Sequence, residues 1–122
     1  MGKVTAVSPL APAQFPDLPV IDGVRFATIA AGVRYQGRTD VMLAELAPGS
    51  TIAGTFTKSA TRAAPVLDCQ AKIGGTSDAG AAILVNSGNA NAFTGKGGVT
   101  AVEAITKAVA QVCDIPQSRV FT

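Results

Sequence analysis

Residues 81–95 read AAILVNSGNANAFTG, and the architecture follows from how this passage is parsed. The short apolar run Ala82-Ile83-Leu84-Val85 has the length and composition of a buried β-strand. It passes directly into Asn86-Ser87-Gly88-Asn89-Ala90-Asn91, a turn made of residues that bond their own backbone or accept positive φ. Gly95 to Gly98 then opens an amphipathic helix. Strand, polar turn and helix start together set side-chain amides and free backbone N–H groups at the end of a sheet, a frequent ligand position in α/β proteins.

Asn86, Asn89 and Asn91 either face a ligand or act as Asx-turn residues that fold the connection. Ser87 and Gly88 complete the candidate set. Ser87 lacks the flanking glycines of a nucleophile elbow.

Downstream, Val99, Val102, Ile105, Val109 and Val112 recur every three or four residues and predict one apolar stripe on a helix from about Gly97 to Cys113. Ala101, Ala104 and Ala108 flank that stripe and permit close packing on a sheet. Thr100 and Glu103 have capping-box spacing, and Thr94 is an alternative, earlier N-cap. Asp114-Ile115-Pro116 stops the helix. Gln117-Ser118-Arg119 turns the chain into Val120-Phe121-Thr122, the opening of a further strand, so the polypeptide is expected to continue past this point.

Upstream, Gly23 to Ala31 reads as a strand and Asp40 to Ala47 as a second strand or a short helix. Gln36-Gly37-Arg38 and Pro48-Gly49-Ser50 are turns. Thr51 to Thr57 reads as a third strand, giving an antiparallel meander. Pro65 to Cys69 is predicted as another short strand with Pro65 at its start or on an edge. Met1 to Pro19 holds Pro9, Pro12, Pro16 and Pro19, four of the seven prolines. That segment is an extended arm whose Leu10 and Phe15 are expected to lie on the body. The fold class is α/β (α+β), a mainly antiparallel sheet packed against helix.

Composition narrows the chemistry. The 122 residues are 48% hydrophobic, 15% charged and 5% aromatic, with no Trp, so the core is built from Val, Ile, Leu and Ala. The net charge is +2 with basic residues scattered singly, which argues against a nucleic-acid partner. No apolar run reaches membrane-spanning length. There is no His, and the two cysteines, Cys69 and Cys113, form no metal-ligand spacing. They read as two reduced, partly buried thiols of a cytoplasmic protein, with a disulfide as the minor alternative. Without His, no Ser-His or Cys-His pair can form within the chain. Asp40 and Glu45 read as solvated carboxylates. Arg25, Arg34 and Arg38 read as surface charge, with binding of a substrate carboxylate as the alternative.

Four segments, in order, resemble the N-terminal part of the ornithine acetyltransferase family, the glutamate N-acetyltransferases of arginine biosynthesis. They are GVRYQGRTDVMLAEL from Gly32, GTFTKSATRAAPV from Gly54, VNSGNANAFTG from Val85, and the following helix with Asp114-Ile115-Pro116 and Val120-Phe121. The resemblance spans about Val20 to Thr122. Phe93 departs from it, standing where family members often carry Cys, which argues against thiol chemistry there.

The resemblance implies a layered α-β-β-α fold and a precursor that cleaves itself before a threonine. That threonine is the nucleophile, with its own α-amine as base, so no His is needed. Acetyl passes from N-acetylornithine to the threonine and then to glutamate, and acetyl-CoA serves some members as a donor. A Thr-Gly pair forms the oxyanion hole. Thr57, Thr94 and Thr122 do not sit in those motifs. The expectation is therefore a truncated α-chain portion with no catalytic residue of its own, no bound cofactor and no metal. Its expected partners are the rest of the α chain and the β chain, in an oligomer. The asparagine turn is expected to shape the pocket through amide hydrogen bonds. Two readings compete: a relative of the self-cleaving aminopeptidases, and a non-catalytic binding or assembly module.

Overall fold

The computed structural model describes residues 6–122. In chain order the elements are β1 (Val24–Ile29), β2 (Val41–Leu46), α1 (Ala64–Lys72), β3 (Ala81–Asn86), α2 (Gly95–Cys113) and β4 (Val120–Phe121), with a single 3-10 turn at Gln117–Arg119 before β4. This is a mixed α+β fold.

The sheet order is β1-β2-β3-β4. β1, β2 and β3 run antiparallel, with Phe26 opposite Ala44 and Ala44 opposite Ile83. β4 joins β3 in parallel, with Ala82 opposite Val120. A parallel neighbour requires a crossover, and α2 supplies it. The C-terminal ends of β3 and β4 therefore lie at the same end of the sheet, which puts the asparagine turn beside Thr122.

The core is made of small and medium side chains. Ala44, Cys69, Ala81, Ala82, Val102, Ala110, Val120 and Phe121 are buried. α1 holds β4 from the side: Lys72 Nζ donates to the Val120 carbonyl at 3.1 Å and the Cys69 thiol to the Thr122 carbonyl at 3.4 Å. Arg119, also buried, donates to the carbonyls of Gly80 at 3.3 Å and Ser50 at 2.5 Å.

Several sequence expectations are corrected. Residues 51–57 form no strand. Gly54 weakens a ladder there, and the Ser50 carbonyl that leads into the segment is taken by Arg119. β3 is instead the third member of the meander. Pro65 to Cys69 is helix, inside α1: Pro65 stands in the first turn, where its missing N–H costs nothing, and Lys72 pairs with Asp68 one turn earlier at 2.7 Å.

α2 begins at Gly95 with Thr94 in the N-cap position, so the Thr100–Glu103 box does not start it. Of the five stripe residues, Val102 alone is buried. The buried line is Gly98, Val102, Thr106 and Ala110, spaced by four, while Val99, Ile105 and Val112 are exposed. The Thr106 hydroxyl is satisfied by donating to the Glu103 carbonyl and accepting from Gln117. Ala101, Ala104 and Ala108 are exposed as well.

In the arm, Met1–Thr5 lie outside the described residues, and Leu10 and Phe15 are 92% and 80% exposed rather than packed on the body. Asp40, expected in solvent, is 1% exposed.

Candidate functional site

The end of β3, the asparagine turn, the first turns of α2 and the end of β4 enclose a groove of about 480 Å³. Val41, Leu84, Val102 and Ile105 give it an apolar floor. Asn86, Asn89, Asn91 and Thr122 supply polar edges, and Val33, from the loop joining β1 to β2, closes one wall. Three of the five candidate residues thus share one cavity.

Ser87 and Gly88 do not line it. The Ser87 hydroxyl accepts from Arg38 at 3.1 Å. Gly88 sits against Arg34 and Tyr35 in a second, open cleft of about 450 Å³, which Asn86 and Asn89 also border. Its φ is +101°, and a Cβ there would lie 2.7 Å from the Tyr35 ring. Arg38 stacks on Tyr35, 4.3 Å from the ring centroid. Arg25 pairs with Glu45 at 2.6 Å on the surface, away from the groove.

The asparagine amides divide between fold and free valence. Asn86 Nδ2 donates to the Asn89 carbonyl at 2.8 Å. Asn89 Oδ1 accepts the Asn91 amide at 3.0 Å. Asn91 is fully engaged: its Nδ2 donates to the Gly98 carbonyl at 2.9 Å and its Oδ1 accepts the Thr94 hydroxyl at 2.7 Å. Asn91 also has φ 49°, a left-handed conformation asparagine tolerates well. Among the described residues, Asn86 Oδ1 and Asn89 Nδ2 carry no hydrogen bond. They are one acceptor and one donor on residues that border the groove. Phe93, at φ 58° and 86% exposed, holds a strained backbone at the turn's far end.

Asp40 is the residue sequence reasoning missed. Its Oδ1 accepts the Ala31 amide at 2.7 Å and its Oδ2 the Val33 amide at 2.6 Å. Its carbonyl accepts the Ser87 amide at 2.8 Å. Burial pushes its carboxyl pKa up, but the N–H groups of Ala31, Val33, Gly32 and Asp40 itself outweigh burial and hold it below the ordinary carboxylate value. An Asp at a strand entry, where carboxylates collect free amides, is the signal that could have found it.

The residues lining the groove include no acid, base or thiol. The Cys113 thiol, lying elsewhere, is pushed up by burial and by Glu45, which keeps it neutral and poorly nucleophilic. Among the described residues no three of His, Cys, Asp and Glu gather as metal ligands, and no helix is long and apolar enough to cross a membrane.

The profile of the ArgJ family matches residues 25–122. The chain is 73% identical over its whole length to an arginine biosynthesis bifunctional protein ArgJ from Ruegeria pomeroyi, of which it covers 30%. It is 51% identical over 121 residues to the protein of that name from Gluconobacter oxydans, covering 28% of it. Two solved structures share the fold. An ArgJ from Bacillus halodurans matches with a TM-score of 0.71 at 29% identity, over 82% of this chain and 51% of that one. The ornithine acetyltransferase of Mycobacterium tuberculosis, in complex with ornithine, matches with a TM-score of 0.67 at 33% identity, over 82% of this chain and 54% of that one. The chain therefore spans about 30% of the length of the curated relatives it matches.

Proposed function

Since this chain belongs to the ArgJ family, we propose that it works in arginine biosynthesis as part of an acetyltransferase that moves acetyl from N-acetylornithine to glutamate. The acetyl group travels through an acetyl-threonine intermediate, with acetyl-CoA as a second donor. In this reading the chain contributes a substrate-pocket wall, and the nucleophilic threonine and the oxyanion pair come from the remaining length of the protein. Asn86 Oδ1 and Asn89 Nδ2 take polar groups of the substrate, and the apolar floor takes its methylene chain and acetyl methyl.

One observation carries this reading. Asn86, Asn89, Asn91 and Thr122 share one groove, so a molecule seated there would meet both the polar turn and the end of β4. We further propose that the chain acts in the cytoplasm, bound to the rest of its α chain and to the β chain within an oligomer.

The test is to express this sequence joined to the remaining length of its relatives and to assay acetyl transfer from N-acetylornithine to glutamate. Transfer that disappears when the chain is expressed alone supports the reading. A folded full-length protein that transfers no acetyl group overturns it.

A further inference from the structure

The loop between β1 and β2, residues 30–40, has no regular structure, yet its Val33 forms a wall of the groove. A loop of that length needs an anchor to hold a wall in place. Asp40 provides it from both its side chain and its backbone. Its carboxylate oxygens accept the Ala31 amide at 2.7 Å and the Val33 amide at 2.6 Å. Its own amide donates to the Ile29 carbonyl at 3.1 Å, and its carbonyl accepts the Ser87 amide at 2.8 Å. Hydrogen bonds to a buried carboxylate are among the stronger ones a fold can make.

We propose that Asp40 is a positioning residue for the groove: it touches none of the bound molecule, but fixes Val33 on one side and the turn carrying Asn86 and Asn89 on the other. The proposal rests on the reading of the groove as a substrate site. Arg38 is the secondary brace, stacked on Tyr35 and donating to the Ser87 hydroxyl at 3.1 Å. Asn at position 40 keeps the shape of Asp but presents an NH2 group to one of the two backbone amides, so one tether becomes a donor–donor clash.

The experiment uses the full-length polypeptide carrying this chain, as wild type, D40N and R38A. Hydrogen–deuterium exchange is followed in residues 29–39 and 85–91, with α2 as internal reference, and transfer kinetics are measured in parallel. D40N is expected to speed exchange about tenfold in 29–39, the effect of one lost charge-assisted bond, to loosen 85–91 as well because the carboxylate also seats the main-chain carbonyl that the Ser87 amide meets, and to leave α2 unchanged. KM for N-acetylornithine is expected to rise severalfold, with a smaller change in kcat. R38A is expected to alter exchange in 85–91 by about twofold or less, as for an exposed contact.

Loosening confined to 29–39 overturns the proposal, as does an unchanged KM with both segments loosened. If D40N does not fold, R38A decides: an unaltered turn sustains Asp40 as the main tether, and a tenfold loss there passes the role to Arg38. If the wild type transfers no acetyl group, the proposed function falls, and the exchange measurements still decide what Asp40 holds.

Discussion

The amide of Ser87 donates to the carbonyl of Asp40 at 2.8 Å, joining the asparagine turn to the start of β2. That bond brings a residue read as solvated into the construction of the groove. It also explains why Ser87, though inside the candidate turn, faces the β1–β2 loop and not the cavity.

Acid should act through Asp40. Its native pKa lies below the ordinary value, so the folded state prefers the ionised form. The resulting stability is fully present above the unfolded pKa, near about 4, and is lost as pH falls from there through the depressed native value. Thermal midpoints taken from pH 7 down to 3 should show this loss, and D40N should flatten that part of the profile.

Adjacent glycines in α2 should respond with opposite signs. A Cβ on Gly97 meets nothing within 4 Å, so Gly97→Ala is expected to stabilise by about 0.5–1 kcal/mol through helix propensity. A Cβ on Gly98 would clash with the Thr94 hydroxyl and lie 2.9 Å from Asn91 Oδ1. Gly98→Ala is expected to destabilise by about 1–2 kcal/mol, and somewhat less in a Thr94→Ala background, where the Asn91 Oδ1 contact persists. Urea unfolding of the four variants checks both signs.

Gly88 combines left-handed backbone with a crowded neighbour. Gly88→Ala is expected to cost about 1–3 kcal/mol, because φ +101° strains any Cβ and the Tyr35 ring blocks it. Tyr35→Ala should recover only part of the steric cost, because the Arg34 Cβ still lies 2.9 Å from the added methyl, and should leave the backbone part, as a double-mutant cycle in urea would show.

Arg119 replaces a ladder with side-chain donors. Arg119→Met is expected to destabilise by about 1–3 kcal/mol, since it strips the donors from the Gly80 and Ser50 carbonyls. Arg119→Lys should recover part of that loss in the same measurement.

Within the turn, Asn91 and Asn89 should separate. Asn91→Ala removes two bonds that tie the turn to α2 and is expected to lower stability by about 1–3 kcal/mol. Asn89→Ala loses one turn bond and a free donor. It is expected to cost less stability and to raise KM in the full-length protein more than Asn91→Ala does. Unfolding and transfer kinetics on the same pair of variants test the contrast.

Much of the fold was legible locally. The apolar run at 82–85, the polar turn after it and Pro116 behind the last helix all read correctly, because their residue types restrict the backbone without help from neighbours. Pro65 was read as opening a strand and instead stands in the first turn of a helix, a position proline suits equally well. The stripe on α2 was read from apolar periodicity, whereas the face that packs is the one carrying Gly98, Thr106 and Ala110 together with Val102.

The amino-acid order alone determined that a strand, an amide-rich turn and a helix follow one another, because each rests on backbone preferences expressed within a few residues. Only the tertiary structure decided that β4 lies parallel to β3, that Thr122 therefore borders the same groove as the asparagine turn, and that Asp40 is buried between the β1–β2 loop and that turn. Those outcomes depend on contacts between residues distant in the chain, which preferences expressed within a few residues do not specify.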